Sequence, residues 1–275
     1  SFTVDGTAPM IRAFGLNVSN GTNFTRAGFI LFNSTLNDTT SGIFKNVTFE
    51  VTNLQNGTVF NVTAPVRSVT LTDFAIWSAN VSLAERGDGI YTVRVLVNDT
   101  AGNTNASSAN LTFRVDGTAP QINNLTMNVT NGTNFTRSGV IMLNVSVNDS
   151  TTTPNGVIFE ILNRQNGSQF NVTLAAPGGV DGPFGRWTAD MVLSTFTDGR
   201  FDVRVYSNDT VNNVNTTLSF SNISFTVDGT APTAQAFGFN ISNSSNLTKG
   251  GFIAINASLN DTTTAVAKNV IFEIT

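Results

Sequence analysis

The chain has 275 residues, 14 Lys and Arg against 18 Asp and Glu for a net charge of −4, only 12% charged residues, and neither Cys nor His. Those absences exclude a disulfide framework, a thiol nucleophile, an imidazole base and an ordinary zinc or copper site. Mild acidity and eleven scattered Arg argue against a nucleic-acid partner, and no apolar run approaches the roughly 20 residues of a membrane-spanning helix.

In chain order the first feature is a repeat. Val4-Asp5-Gly6-Thr7-Ala8-Pro9 recurs from Val115 to Pro120 and from Val227 to Pro232, at spacings of 111 and 112 residues. A period of that size predicts whole domains in tandem. Residues 1–4 are expected to be the last strand of a preceding repeat, 5–115 and 116–227 complete repeats, and 228–275 the first three strands of a third. Ser1-Phe2-Thr3-Val4 matches Ser224-Phe225-Thr226-Val227, so the expectation is a window of a longer array. Gly and Pro within each copy mark it as a hinge.

Within a repeat the apolar residues alternate with period two, and no 3.6-residue pattern occurs. In the second repeat, residues 122–129 make a first strand and Asn131-Gly132 turns the chain. Ile141, Leu143, Val145 and Val147 then share one face, as do Ile30, Phe32, Ser34 and Leu36 earlier and Ile253, Ile255, Ala257 and Leu259 later. Val157, Phe159 and Ile161 face inward on a third strand, matched by Val47, Phe49 and Val51 and by Val270, Phe272 and Ile274. Strands over 170–174, 187–193, 201–206 and 218–227 complete the repeat, the fifth with Trp187, Ala189, Met191 and Leu193 inward. Seven strands in about 110 residues is the rhythm of a sandwich, so the fold class is all-β, tandem immunoglobulin-like β-sandwich domains. Trp77 and Trp187 are read as core. Glu50, Glu160 and Glu273 fall mid-strand on the polar face without a paired acid, which reads as solvated positions and no catalytic residue.

Of 36 Asn, 28 open an Asn-X-Ser/Thr sequon, where random placement would give about eight. Asn17, Asn20, Asn23 and Asn33 recur as Asn128, Asn131, Asn134 and Asn144 and as Asn240, Asn243, Asn246 and Asn256. Further candidates for covalent N-glycans are Asn46, Asn56, Asn61, Asn80, Asn105, Asn110, Asn124, Asn166, Asn171, Asn215 and Asn222. The recurrent Asn37, Asn148 and Asn260 stand in Asn-Asp-Ser/Thr, of which Asn-Asp-Thr is a poor acceptor, and Asn17, Asn20 and Asn23 crowd one another. A sugar coat would keep so weakly charged a chain in solution. The competing reading is that Asn-Gly and Asn-Asp make turns while Thr suits exposed strands.

The acids also recur. Asp5 and Asp38 are 33 residues apart, as are Asp116 and Asp149 and Asp228 and Asp261, while Asp99 and Asp209 follow the first acid by 94 and 93. In an immunoglobulin topology these positions share one end of the sandwich, so the carboxylates are expected to converge as candidate Ca²⁺ ligands, with Asn103 and backbone carbonyls as additions. The alternative is Asx turns onto nearby backbone N–H groups. Apart from Ca²⁺ and glycans, no cofactor is indicated. Lys45, Lys249 and Lys268 are the only lysines, so residues 116–227 lack the amine that a Lys–Asn cross-link needs.

Thr-Ala-Pro at the entry, Phe-Glu-Val or Phe-Glu-Ile in the third strand, and Asp88-Gly89-Ile90-Tyr91-Thr92-Val93-Arg94-Val95 running into Asn98-Asp99-Thr100-Ala101-Gly102-Asn103 resemble the bacterial Ig-like (Big-type) tandem repeats of prokaryotic and archaeal surface proteins. Val211-Asn212-Asn213 departs from that pattern in the second copy. The resemblance implies a cell-surface β-sandwich used in adhesins, surface layers, filaments or stalks of secreted enzymes, archaeal given the sequon density, and does not choose among them; the expectation is an extracellular, non-enzymatic structural role in a layer, sheath or filament that self-associates with identical chains. The alternative expectation is an adhesin with a cell-surface or glycan ligand, or the stalk of a secreted enzyme. The insertion at Pro177–Pro183, where the first copy has Pro65-Val66-Arg67-Ser68, suits either role. Three strands alone would leave an apolar face and open edges, so residues 228–275 are expected to be completed by more of a longer chain or by strands of a neighbouring chain.

Overall fold

The computed structural model describes residues 2–41, 46–69, 74–107, 110–216, 223–264 and 269–274. Asn222, Lys45 and Lys268 lie outside them, as does the side chain of Asn46.

Period-two alternation becomes strands with one buried face. The first repeat contains β1 (Met10–Leu16), β2 (Asn23–Phe24), β3 (Phe29–Asn37), β4 (Asn46–Asn53), β5 (Val59–Val69), β6 (Ala75–Ser82), β7 (Gly89–Asn98), β8 (Thr104–Ala106) and β9 (Leu111–Val115). One layer runs β1–β3–β6–β5 and the other β2–β9–β7–β4–β5, with β8 added to β7. β5 serves both layers, pairing with β4 over its first residues and with β6 from Val66 onward. Ile30, Phe32, Leu36, Trp77 and Val81 from the first layer meet Val47, Phe49, Val93, Val95 and Phe113 from the second in one buried core. Phe32 and Phe49 close the gap between layers with ring centroids 5.5 Å apart. Ser34 shares that inward face and is buried, its hydroxyl donating to the Ala13 carbonyl at 2.8 Å, as a buried polar group requires. Tyr91 stacks on Phe113 at 5.2 Å and returns its hydroxyl to the Gly87 carbonyl at 2.7 Å, the tyrosine corner of immunoglobulin sandwiches. Phe201 takes its place in the second repeat and stacks on Phe225 at 5.3 Å.

The opening strand changes layer part-way. β1 runs antiparallel to β3, whereas β2 runs parallel to β9. Asn17 ends the first pairing by donating its backbone N–H to the Leu31 carbonyl at 3.1 Å and accepting the Leu31 N–H on Oδ1 at 2.9 Å. Asn20 begins the second by accepting the Thr112 N–H on Oδ1 at 2.6 Å, and Gly21, at φ +85°, supplies the turn between them. The Asn-rich stretch is thus a layer switch, with side-chain oxygens standing in for missing backbone acceptors.

The second repeat contains β10 (Gln121–Met127), β11 (Asn134–Phe135), β12 (Val140–Asn148), β13 (Pro154–Asn163), β14 (Gln169–Leu174), β15 (Gly179–Asp181), β16 (Phe184–Val192), a 3₁₀ turn at Leu193–Thr195, β17 (Gly199–Asp209), β18 (Val214–Thr216) and β19 (Ile223–Val227). Its layers are β10–β12–β16–β15 and β11–β19–β17–β13–β14, with β18 on β17. The Pro177-Gly178 insertion breaks the counterpart of β5 into β14 and β15. Trp187 sits in this core, 1% exposed, as Trp77 does in the first at 4%. Both tryptophans are interior, as their alternation predicts.

The chain forms two compact units, one of residues 1–121, 148–155 and 207–215, the other of residues 122–147, 156–206 and 216–275. Within the second, β20 (Thr233–Phe239) and β21 (Ile255–Asn260) pair antiparallel. The strand expected at Val270–Ile274 does not form. In the first repeat its counterpart β4 is paired on both sides, by β5 and β7; among the described residues, the third copy offers neither pairing. Phe237, Phe239, Ile255, Leu259 and Phe272 instead line an open apolar groove of about 670 Å³.

Glu160 also departs from expectation. It is 4% exposed and ion-paired with Arg204, and Glu50 pairs with Arg94 at 2.6 Å. Alternation put both on the non-core face, but a long Arg from the adjacent strand covers each carboxylate.

Asn53 and Asn163 are fully buried beneath the Asp-Gly turns that open β7 and β17. Asn163 Nδ2 donates to the Asp198 carbonyl at 3.1 Å and Oδ1 accepts the Gln165 N–H at 2.9 Å. Gly199, at φ +151°, lies so close that an added Cβ would sit 2.4 Å from Asn163 Oδ1. Gly199→Ala is therefore expected to cost about 2–4 kcal/mol. Gly182→Ala, with open space around a φ of +60°, should cost only about 1–2 kcal/mol. Urea unfolding of the two variants checks the contrast, and equal losses would contradict it.

Candidate functional site

The repeated Val-Asp-Gly-Thr-Ala-Pro segment leaves β9 and is bound at almost every residue. The Asp116 N–H donates to the Phe24 carbonyl at 2.8 Å. Asp88 Oδ1 accepts the Gly117 N–H at 2.7 Å, and its Oδ2 accepts the Thr118 hydroxyl. Arg26 pairs with the same carboxylate at 2.9 Å. Its side chain crosses Gly117 so closely that a Cβ there would meet Arg26 Cδ at 2.5 Å. A side chain at Gly117 would have to push the Arg26 side chain aside.

Asn213 Nδ2 donates to the Asp116 carbonyl at 3.2 Å, and Asn215 Nδ2 to the Pro120 carbonyl at 2.7 Å. The segment that Gly and Pro mark as a hinge is held by hydrogen bonds along its length, as a latch. Arg137, Asp198, Gly229 and Thr230 repeat the latch, with the Gly229 N–H 2.6 Å from Asp198 Oδ1. The Thr230 hydroxyl and then the Gly229 N–H, with help from Arg137 and against the opposing effect of burial, hold the Asp198 carboxyl below the usual range.

The acids do come together. One ligand oxygen from each of Asp5, Asp38 and Asp99 lies within 4.8 Å of the others, and the same is true of Asp116, Asp149 and Asp209. Asp99, Asp116 and Asp209 are buried. Most of their oxygens are already occupied. Asp209 Oδ1 accepts the Val211 and Asn213 N–H groups at 2.8 and 2.9 Å, and Oδ2 accepts Asn213 Nδ2 at 2.7 Å. Asp116 accepts the Thr118 N–H at 3.0 Å and the Thr152 hydroxyl at 2.5 Å. Asp149 Oδ1 accepts the Thr151 and Thr152 N–H groups at 2.8 Å, leaving Oδ2 buried without a partner.

In the first copy Ser41 replaces Thr152, and both its hydroxyl and Asp5 Oδ2 are buried and unpartnered. Asp228 and Asp261 repeat the arrangement through Thr264, whose hydroxyl donates to Asp228 at 2.5 Å. Asn103, expected as a ligand, presents its nitrogen: Nδ2 donates to Asp99 Oδ2 at 2.7 Å and to the Asp5 carbonyl at 3.2 Å. An amide nitrogen is a donor and does not ligate a cation.

Electrostatics separate members of the two trios. Burial works against the Asp99 charge, but Asn103 and neighbouring N–H groups outweigh it and hold that carboxyl low. Burial pushes Asp149 up, and the carboxylates of Asp116 and Asp209 add to the shift against the two threonine N–H groups.

The asparagines divide equally clearly. Among those described, Asn53 and Asn163 are the fully buried ones, and neither opens a sequon. The candidate sequon asparagines with described side chains are exposed, apart from the half-buried Asn23, Asn33, Asn144 and Asn215. The amide that pins each Asp-Gly turn and the Asn103 and Asn213 amides that pin the linker all lack a sequon. Sequence reasoning missed Asp88, Asp198, Arg26 and Arg137; their only signal was an Arg four residues after the Asn-Gly-Thr turn in each complete repeat.

No family model matches the chain, and no curated protein matches it. Among solved structures, it is similar to dimeric latent PorU from Porphyromonas gingivalis, with 15% identity, a TM-score of 0.29 and coverage of 82% of this chain and 21% of that one. It is also similar to a part of a 1.5-MDa bacterial ice-binding adhesin, with 15% identity, a TM-score of 0.35 and coverage of 82% and 69%. A third likeness is to Dpr2 Ig1-Ig2 in complex with DIP-Theta Ig1-Ig3, at 9% identity, TM-score 0.23 and coverage of 82% and 100%. The chain thus spans about a fifth of the PorU chain. At these TM-scores the likenesses carry no functional argument, and the fold class, an all-β sandwich of immunoglobulin type, rests on strand order and core.

Because the raised folded-state value of Asp149 favours its protonated form, its contribution to stability is present below the ordinary carboxylate range and lost as pH rises through the folded value. Asp149→Asn should therefore melt higher than the wild type at pH 7 without divalent ions, and that advantage should shrink as pH falls into the carboxylate range. Thermal melts of both proteins across pH read the difference directly; a variant that melts lower at pH 7 would contradict it.

Proposed function

We propose that the chain is part of an extracellular, N-glycosylated structural array of Ig-like domains without enzymatic activity, serving a cell-surface layer, sheath or filament by self-association. The observation that carries this reading is the division of the asparagines. The fully buried Asn53 and Asn163 lie outside sequons, while the candidate sequon asparagines with described side chains are exposed or half-buried. Turn propensity alone does not explain that division, because Asn53 and Asn163 are themselves turn-forming residues. Glu50 and Glu160 are each held by an Arg from the adjacent strand, which suits a structural role for these two carboxylates.

Ca²⁺ binding at the acid trios is a second proposal, favoured by the unpartnered Asp149 and Asp5 oxygens. A cation there would add ligand bonds to oxygens already oriented by N–H groups and offset both the burial of the Asp149 charge and the lesser repulsion from Asp116 and Asp209. The adhesin alternative is favoured by the insertion at Pro177–Pro183 in the second repeat, which carries the extra strand β15.

The intact mass of native material should exceed the mass of its own polypeptide by several glycans. Bare polypeptide mass would overturn the glycoprotein reading. Micrographs of the native surface should show regular assemblies of the protein, whereas cell or glycan binding by isolated chains would move the assignment to adhesion. Calcium should raise the melting temperature of the wild type, and by less that of Asp149→Asn, which keeps the first trio; indifference of the wild type to calcium and EDTA would remove the metal.

A further inference from the structure

An asparagine amide has two unlike ends. Only its oxygen can accept a backbone N–H, and only its nitrogen can carry an N-linked sugar. Whichever end the fold uses decides whether the other is left for modification.

Asn17, Asn128 and Asn240 occupy one structural position in three copies. Each donates its backbone N–H to a carbonyl of the facing segment, and each accepts that residue's N–H on Oδ1: Leu31 at 2.9 Å, Met142 at 2.9 Å and Ala254 at 2.8 Å. The backbone donor fixes the amide orientation, so the nitrogen faces away from the pairing. All three residues are exposed, and none of their amide nitrogens donates to another described group. Asn105 and Asn215 are the reverse case. Each opens a sequon, but each directs Nδ2 at a linker carbonyl at 2.7 Å, of Pro9 and Pro120 respectively.

We propose that this division is the glycan occupancy pattern: an N-linked oligosaccharide on Asn17, Asn128 and Asn240, and bare amides at Asn105 and Asn215. The proposal rests on the glycoprotein reading above. The chemistry uses a phosphate-activated sugar donor: Nδ2 bonds to the anomeric carbon, the anomeric C–O bond to phosphate breaks with its electron pair, and one amide proton is lost to the departing phosphate. The product keeps its carbonyl oxygen, so the bond from Leu31, Met142 or Ala254 survives glycosylation. At Asn105 or Asn215 a sugar would replace one of the two N–H donors of the nitrogen that holds the proline carbonyl and crowd its bulk against the linker.

The position also has a use. β1 and β10 are edge strands of their layers, and a bulky polar group at the end of an exposed edge obstructs strand addition by another chain.

Glycopeptide mapping of the native protein tests this site by site. Glycan mass on the Asn17, Asn128 and Asn240 peptides with unmodified Asn105 and Asn215 is the expected result. Glycan on Asn105 or Asn215, or bare Asn17, Asn128 and Asn240 in a chain glycosylated elsewhere, overturns the pattern while leaving the glycoprotein reading intact. No glycan on any peptide overturns both. In the native host, Asn17→Gln should lower the intact mass by one glycan and Asn105→Gln should leave the glycan mass unchanged; the opposite result overturns the pattern.

Discussion

The carboxylate of Asp88, and of Asp198 one repeat later, is the interaction on which the rest of this architecture depends. A chain leaving the last strand of a sandwich carries N–H and C=O groups that no sheet partner satisfies, and near a packed end such groups must be paired. Asp88 takes the Gly117 N–H and the Thr118 hydroxyl, and Arg26 balances its charge. Asp88 stands at the Asp-Gly turn that Asn53 holds from below, and Asn53 Nδ2 donates to the Asp88 carbonyl at 3.3 Å. One turn therefore anchors strand β7, the buried asparagine and the departing segment together, and the second repeat rebuilds the same set of contacts around Asp198.

The acid trios follow from the same economy of charge. Few residues are charged, and several acids lie at the sandwich ends, where backbone N–H groups and Asn amides receive them. Burying a carboxylate is costly unless hydrogen bonds compensate it. Asp209 has three such bonds and Asp149 has one bare oxygen. That inequality makes Asp149 the member whose charge the fold tolerates least and the point where a cation or a proton has most effect.

Much of the fold is legible in the sequence because period two with one greasy face admits few alternatives. Ile30, Phe32, Ser34 and Leu36 are buried in the order in which they alternate. The convergence of Asp116, Asp149 and Asp209 was legible through topology, since the spacings place all three at one end. Asp88 was not, because Asp-Gly before a strand reads as a local turn and nothing local marks Arg26 as its partner. The burial of Glu160 was hidden for a similar reason: the covering Arg204 comes from another strand. The failure of Val270–Ile274 to form a strand shows the limit of pattern, since a strand exists only where its neighbours offer backbone partners. Sequon counting likewise could not tell Asn17 from Asn105, because the difference lies in which end of the amide the fold occupies.

The central claim is that the recurring segment is a latched element held by Asp88. Amide hydrogen exchange on the intact chain addresses it directly. The amides of Asp116, Gly117 and Thr118 should be protected as strongly as those of β9, and Asp88→Ala should release Gly117 selectively while β9 stays protected. Exchange of Gly117 at the rate of an open loop in the wild-type chain would contradict the latch and restore the hinge.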